Sequence, residues 1–158
     1  MKTTDPAILL CYGCRKTGKC RLGLGGERLV EPGVTRSELT CPPEYEGGPG
    51  VAHGGWTAEA MDEALGRLNL LSGQMTVTAE LTVTYRRPVP VGRPLELHAR
   101  YEKIENGRRW IVGELLLAST GAILARARGI FVERDSSHFD RFNDWIASQD
   151  AASGRDTT

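Results

Sequence analysis

The feature that most constrains the fold is a change of hydrophobic period near residue 72. Before it, apolar residues recur at the spacing of one helix face, which predicts a helix from about Gly55 to Leu71. After it, apolar and polar residues alternate strictly from Thr76 to Tyr85, which predicts a strand. The helix face is formed by Ala58, Met61, Leu65 and Leu68, and the apolar strand face by Val77, Ala79, Leu81, Val83 and Tyr85.

Other strands are predicted on both sides of this pair of elements. Asn106-Gly107 is a strong signal for a two-residue hairpin, so the stretches on either side of it should pair as antiparallel strands. The predicted strands cover residues 21–24, 34–41, 95–104, 110–118 and 123–132, a turn-rich loop covers 44–50, and a closing helix covers 138–148.

This order of elements predicts an α+β fold with an antiparallel sheet wrapped on one long central helix. The 158 residues are enough for one core, and we see neither an internal repeat nor a second domain, so residues 1–158 are interpreted as a single domain. Residues 1–20 form its cysteine-containing N-terminal segment, and residues 150–158 are expected to be a frayed tail.

The charge balance narrows the choice of partners. Lys and Arg together equal Asp and Glu at 20 each, so the formal net charge at pH 7 is zero, and no basic tract is present. We therefore expect no nucleic-acid partner. No apolar run is long enough for a signal peptide or a membrane span, which predicts a cytoplasmic protein without membrane contact.

The four cysteines raise the question of a metal site. In a reducing compartment, Cys11, Cys14, Cys20 and Cys41 should be thiols or metal ligands rather than disulfides. Cys11 and Cys14 have the spacing of a zinc knuckle, but no second CxxC or histidine pair follows. The residues favour packed free thiols and leave zinc open, so we assign neither a metal ligand nor a cofactor.

Residues able to carry chemistry gather where the helix begins. Gly54 and Gly55 leave backbone N–H groups unshielded by a Cβ, so a substrate carbonyl could approach them at the positive end of the helix. The residues alone favour a simpler tight loop. Asp62 lies at the rim of the apolar face, where a carboxylate is paired, solvated, or used as a base or nucleophile.

Three stretches of the chain, taken together, are similar to one known family. They are residues 48–56 with His53-Gly54-Gly55 followed by Asp62, the strand from Thr78 to Pro90, and the N-terminal Cys11-Tyr12-Gly13-Cys14. These stretches resemble the PaaI-like hotdog thioesterases, most closely the branch that contains the human thioesterase superfamily members. The resemblance implies a hotdog fold and hydrolysis of an acyl- or aryl-CoA thioester.

The resemblance also implies a role for each site residue. Asp62 would be the general base or nucleophile, the Gly54 N–H would polarise the thioester carbonyl, and Thr78 would orient the attacking water. His53 would fix the loop or the substrate, and a purely structural role for it stays equally open. The implied substrate contacts are Gly55, Trp56, Met61, Thr84, Arg86, Asn106 and Arg108, with plain core open for Trp56 and Met61 and a solvated strand end open for the arginines.

The loop before the histidine departs from the family pattern. Some relatives carry an Asn or Gln there, close to the thioester oxygen, whereas residues 46–49 of this chain contain no amide side chain. Backbone N–H groups must then polarise the carbonyl alone, or Glu46 must serve in another way.

The family also implies self-association. Hotdog sheets pair edge to edge with sites between subunits, so a homodimer or tetramer is expected, with Thr78 and the CoA contacts supplied by the subunit opposite Asp62. Three other functions stay open: a non-catalytic acyl-CoA-binding module, a hotdog hydratase of acyl thioesters, and a zinc-dependent interaction module.

Overall fold

A computed structural model describes residues 11–154 of the chain. The helices are α1 (Tyr12–Arg15), α2 (Gly54–Leu71) and α3 (Ser137–Ala152). The strands are β1 (Leu24–Glu31), β2 (Val34–Thr40), β3 (Glu46–Gly48), β4 (Val51–Ala52), β5 (Thr76–Tyr85), β6 (Pro94–Glu105), β7 (Arg108–Leu117) and β8 (Ala122–Glu133). Six of them form one antiparallel sheet in the order β1-β2-β6-β7-β8-β5, and α2 packs against one of its faces.

Helix α2 is held on the sheet by a continuous apolar core. Met61, Leu65 and Leu68 are fully buried, as the predicted helix face requires, and Ala58 is half-buried. They pack with inward-facing residues of the central strands, which include Leu95, Leu97, Ile111, Leu115, Ala125 and Phe131. Burial of one such side chain contributes about 1.5–3 kcal/mol. This packing therefore fixes the rotation of α2, and with it the direction of every polar side chain on the helix.

Most predicted elements are confirmed, and one is wrong. The helix begins one residue earlier than predicted, β5 has the predicted bounds, and the hairpin at Asn106-Gly107 has positive φ angles of 50° and 70° at its two turn residues. The predicted strand at residues 21–24 is wrong, because the strand begins at Leu24 and runs to Glu31. Its outer half lies exposed at the sheet edge and has no clear apolar alternation. Helix α3 continues four residues beyond the predicted end at Ser148.

The turn-rich loop before α2 also contains more structure than expected. Residues Pro43–Tyr45 form one turn of 3-10 helix, and β3 pairs with β4 in a small two-stranded sheet. Glu46 closes this hairpin, because its Oε1 accepts a hydrogen bond of 2.6 Å from the N–H of Gly50.

A β-bulge in β5 changes which residues face the helix. The pairing with β8 shifts between Thr78 and Glu80, which leaves Ala79 as the extra residue. Thr78 pairs with the buried Phe131, so its side chain lies on the helix face of the sheet. The prediction of one strictly alternating face is therefore wrong: the inner face carries Thr76, Thr78, Leu81, Val83 and Tyr85, whereas Val77 and Ala79 do not belong to it.

Arg67 is a second departure from the predicted pattern. It does not belong to the predicted apolar face of α2, yet its side chain is only 3% exposed. It pairs with Glu63, four residues earlier, at an Nε to Oε1 distance of 3.0 Å, and also with Glu27 of β1. Two carboxylates thus compensate the buried guanidinium. Burial lowers the pKa of Arg67 and raises that of Glu63.

The cysteines of the described residues are free thiols. Cys14 and Cys41 are buried, and desolvation raises the pKa of Cys41 to about 11. Within residues 11–154, no group of three or more His, Cys, Asp or Glu side chains is arranged to hold a metal ion. In the same part of the chain, no helix is long and apolar enough to cross a membrane. The predictions that fall on residues 1–10 and 155–158 lie outside the described residues.

Candidate active site

A carboxylate and a hydroxyl meet between the central helix and the edge strand. Thr78 of β5 donates a hydrogen bond from its Oγ1 to Oδ1 of Asp62 on α2, at 2.9 Å. This contact depends on the bulge at Ala79. Without the bulge, Thr78 and the apolar residues that follow it in β5 would lie on opposite faces of the sheet, so they could not all face the helix. This hydrogen bond joins Thr78 and Asp62 of the same chain, so their contact does not require the subunit opposite Asp62 that was expected to supply Thr78.

The surroundings of Asp62 favour its protonated form. Desolvation is the largest cause and raises the pKa of this half-buried carboxyl, and the negative charge of Glu59 one turn earlier raises it further. The Thr78 hydroxyl opposes both effects, because it donates to the carboxylate form and lowers the pKa. A carboxylate with a raised pKa and a fixed hydroxyl partner is a suitable general base or nucleophile.

The start of α2 is a turn with one unused donor. His53 is the N-cap residue, and its Nδ1 accepts a hydrogen bond of 2.9 Å from the N–H of Gly55. A Cβ at Gly55 would lie only 2.9 Å from that nitrogen, so glycine is needed for this cap. Among residues 11–154, no hydrogen bond engages the N–H of Gly54. The exposed Gly54 thus offers the donor that sequence reasoning assigned to it, whereas the N–H of Gly55 is occupied.

The loop before α2 packs against this turn and hydrogen-bonds to it. The N–H of His53 donates to the carbonyl of Tyr45 at 2.7 Å. A Cβ at Gly47 would lie 2.7 Å from the Cα of His53, which shows how closely the loop approaches the helix start. Glu46 is engaged with Gly50, so it braces this loop rather than replacing the amide side chain of some relatives.

These two features lie far apart within one chain. Gly54 and Asp62 are eight residues apart on α2, which corresponds to about 12 Å along the helix axis at 1.5 Å per residue. On β5, Thr78 and Tyr85 are also well separated, because seven strand residues span roughly 20 Å. The predicted site is therefore divided into a base end, formed by Asp62 and Thr78, and a turn end, formed by His53, Gly54 and Gly55.

The other predicted residues are distributed over both ends and the core. Trp56 and Met61 are 1% and 0% exposed, and the indole N–H of Trp56 donates to the Leu22 carbonyl at 3.2 Å. Both side chains thus belong to the core, and their contact with a substrate stays a prediction. Thr84 is exposed on the outer face of β5, because its neighbours Val83 and Tyr85 face inward.

The predicted CoA contacts also separate. Asn106 and Arg108 are exposed at the β6–β7 turn. Arg108 pairs with Val132 of β8, and Val132 pairs on its other side with Val77 of β5. This turn therefore lies beside the base end. Arg86 follows Tyr85 and so belongs to the turn end. It lines a recess of about 470 Å³ together with Arg87, Ile123 and Arg126. Arg126 pairs with Glu114, whereas the hydrogen bond that Arg87 makes among the described residues goes to the Ile123 carbonyl. This recess therefore carries more positive than negative charge.

A much larger recess lies elsewhere. It measures about 1440 Å³, and its walls come from β1, β2 and the C-terminal half of α2, with Cys20, Arg67 and Leu71 among them. None of the predicted site residues lines it, so its size is not evidence for the place of the reaction.

Sequence reasoning missed two residues of this region. Glu59 is exposed and pairs with Arg21 at 3.3 Å, and its charge acts on Asp62. Tyr85 donates from its hydroxyl to the Gly54 carbonyl at 2.7 Å. The spacing of Glu59 from Asp62, one helical turn, could have suggested the first. No local signal indicates the second, because the contact joins residues 31 positions apart.

Comparison with known proteins finds sequences and folds that are similar to this chain. Residues 49–108 match the model described as thioesterase superfamily. The chain is 31% identical over 117 residues to the acyl-coenzyme A thioesterase THEM4 of Xenopus laevis, covering 70% of this chain and 52% of that protein. A crystal structure of a thioesterase superfamily protein is 30% identical with a TM-score of 0.62, covering 67% of this chain and 54% of the other. The PaaI protein of E. coli has a TM-score of 0.65 at 20% identity, covering 76% and 87%.

The fold is thus the hotdog fold, with an antiparallel sheet packed on one long helix. Residues 49–108 thus match the thioesterase superfamily, and the chain is similar in sequence to acyl-coenzyme A thioesterases. It spans between 37% and 52% of the length of the first three curated relatives it matches.

The raised pKa of Asp62 predicts a stability effect with a definite sign. A carboxyl whose pKa is higher in the folded than in the unfolded chain contributes stability at low pH, and that contribution is lost as pH rises through the folded value. We therefore expect Asp62→Asn to increase the free energy of unfolding at pH 7. The gain should vanish below about pH 3.9, the unfolded value.

Urea denaturation at both pH values measures this difference. Asp144→Asn is the matched control, since Asp144 is exposed on α3 and its replacement should leave the two curves close to those of the natural protein. An Asp62→Asn protein that is less stable at pH 7 would contradict the expected sign.

Proposed function

We propose that this protein hydrolyses the thioester bond of an acyl- or aryl-CoA. The observation that carries the proposal is the half-buried carboxylate of Asp62, which has a raised pKa and a hydroxyl partner 2.9 Å away. As general base, Asp62 takes a proton from water while the water oxygen bonds to the thioester carbon, and the C–S bond then breaks. The proton passes to the sulfur, which leaves the free acid and the CoA thiol. Direct attack by the carboxylate, followed by hydrolysis of the anhydride, gives the same products.

The developing negative charge on the carbonyl oxygen needs a donor. The N–H of Gly54 is exposed and unengaged among the described residues, and it lies at the positive end of α2. A preorganised donor of this kind typically contributes about 100- to 1000-fold to the rate of acyl transfer. The occupied N–H of Gly55 acts indirectly, through the His53 cap.

One chain alone cannot place both groups on one thioester. A reacting carbon must lie about 3 Å from the base or its water and near the oxyanion donor, whereas Gly54 and Asp62 are about 12 Å apart along their helix. Strand β5 lies at the edge of the sheet with ten residues unpaired on its outer side. Antiparallel pairing of this edge with a second copy brings the base end of one chain beside the turn end of the other. We therefore propose a homodimer with two composite sites, and a tetramer of two such dimers is compatible with it.

The same pairing gives the arginines a function. Arg86 and its neighbours in the small recess belong to the turn end, so in the dimer they lie beyond the partner's base end. The excess of guanidinium groups suits the phosphates of CoA. Asn106 and Arg108, at the base end, are the corresponding contacts proposed on the other side of the substrate.

The direct test is release of CoA thiol from a panel of acyl- and aryl-CoA esters. We expect turnover by the natural protein and a loss of roughly 100-fold or more in Asp62→Asn, because the amide can neither accept a proton nor attack. Asp144→Asn should retain full activity. Binding of acyl-CoA without thiol release by any of the three proteins would favour a binding module, and formation of a hydrated but intact thioester would favour a hydratase.

Thr78→Val tests the pairing with Asp62 through the pH profile. Loss of the hydroxyl removes the interaction that lowers the pKa of Asp62, so the acid limb of kcat/KM should move to higher pH. Thr82→Val is the control, because Thr82 lies on the outer face of the same strand. An acid limb at the same pH in the natural protein and in Thr78→Val would contradict this role.

Mixing two inactive variants tests the composite site. Gly54→Pro removes only the N–H, since proline suits the first helical position and His53 already has the extended ψ of 137° that proline requires. Dimers refolded from equal amounts of Gly54→Pro and Asp62→Asn should recover about a quarter of natural activity, because half the dimers are mixed and each holds one intact site. Activity no higher than the sum of the separate variants would contradict a shared site. Gly54→Ala keeps the N–H and should stay active alone.

A further inference from the structure

Tyr85 makes an unusual contact with the start of α2. It is the last residue of β5, and its side chain is 52% exposed, so it is not held there by burial in the core. Its hydroxyl donates to the Gly54 carbonyl at 2.7 Å. Its ring lies over the same glycine, where a Cβ would be 3.4 Å from the hydroxyl oxygen and 3.6 Å from two ring carbons.

This contact completes the fixation of one peptide unit. The carbonyl of Gly54 and the N–H of Gly55 belong to the same peptide plane, and the N–H donates to Nδ1 of His53 at 2.9 Å. The plane is therefore held at both ends by side chains, one from the N-cap and one from the edge strand. The preceding plane is held through the His53 carbonyl, which accepts from the N–H of Thr57 at 3.2 Å.

Two adjacent glycines need such restraint. Glycine has wide conformational freedom, so the peptide planes of Gly54 and Gly55 could otherwise rotate at little cost. An oxyanion donor is effective only when its direction is set before the reaction. Between His53 and Gly55, the N–H of Gly54 is the one backbone donor without a partner in the described part of the chain.

We propose that Tyr85 is a positioning residue that, together with His53, clamps the Gly54–Gly55 peptide and thereby aims the Gly54 N–H at the thioester carbonyl. The inference rests on the proposed hydrolase function. Tyr85 touches neither the substrate nor the reacting atoms in this proposal, and its effect reaches the reaction only through the N–H of Gly54.

Tyr85→Phe tests the clamp by removing the hydroxyl while keeping the ring over Gly54. We expect kcat for acyl-CoA hydrolysis to fall roughly ten-fold, less than loss of the donor itself, with KM little changed, because the donor acts mainly on the transition state. Tyr101→Phe is the matched control. Its hydroxyl also makes protein hydrogen bonds, to Asn69 at 2.9 Å and Arg109 at 3.3 Å, but these lie away from the turn. Equal kcat in Tyr85→Phe and the natural protein would overturn the proposal.

A double-mutant cycle separates this role from general support of the fold. If Tyr85 acts only through the Gly54 N–H, the loss in Tyr85→Phe should disappear in the Gly54→Pro background, which has no such group. Additive losses in the double variant would overturn the assignment.

Amide spectra of protein labelled with ¹⁵N-glycine provide a readout that does not need activity. Tyr85→Phe should shift the Gly55 resonance and speed its hydrogen exchange several-fold, whereas Tyr101→Phe should change neither. An unchanged Gly55 amide would overturn the clamp even in an active enzyme. If the natural protein releases no CoA thiol, the proposed hydrolysis fails, and the amide spectra still decide whether the clamp exists.

Discussion

The packing of α2 against the inner face of the sheet is the interaction on which the other features depend. Met61, Leu65 and Leu68 are buried together, so the helix cannot rotate without exposing them to water. That constraint holds Asp62 at the boundary between core and solvent, where it is desolvated enough for its pKa to rise and still reachable by a hydroxyl of the edge strand. It also fixes the position of the helix start, where His53 and Tyr85 both hydrogen-bond to the peptide between Gly54 and Gly55. The orientation of α2 that buries its apolar face thus also sets the surroundings of Asp62 and of the helix start.

Two charged residues of α2, Arg67 and Asp62, differ in how far opposite charges compensate them. Arg67 is almost fully buried and is balanced by Glu27 and Glu63. Among residues 11–154, Asp62 has no cationic partner of this kind; the Thr78 hydroxyl stabilises its ionised form, and the charge of Glu59 opposes it. A structural ion pair and the carboxylate proposed to react therefore occur about one helical turn apart on the same helix. What distinguishes them is whether an opposite charge satisfies the buried group.

Much of the fold could be predicted from local patterns, because the patterns and the structure share a physical cause. Alternation of apolar residues marks the strands β5 to β8. The Asn106-Gly107 turn marks the connection between β6 and β7, since only residues tolerant of positive φ form such a turn. Strand β1 was misplaced because it lies at an edge where one face is not buried, so burial does not impose a pattern on it. The burial of Arg67 could not be predicted, because its partner Glu27 is 40 residues away in the sequence. Gly54 and Asp62 could be singled out through family resemblance, whereas the contacts of Tyr85 depend on tertiary proximity that no local spacing reveals.

The bulge at Ala79 has a consequence for how such chains can be compared and how they can change. It is one whole residue, so it cannot be introduced gradually by substitution; it appears or disappears only by insertion or deletion. Removal of Ala79 would place Glu80 directly after Thr78 and restore regular alternation, with Thr78 and Leu81 still on the helix face. Two relatives could then share the contact between carboxylate and hydroxyl and differ by one residue in the length of this strand. An alignment without a gap at this point would match the hydroxyl of one relative with the bulge residue of the other, whereas a single-residue gap at the bulge would keep the two hydroxyls together.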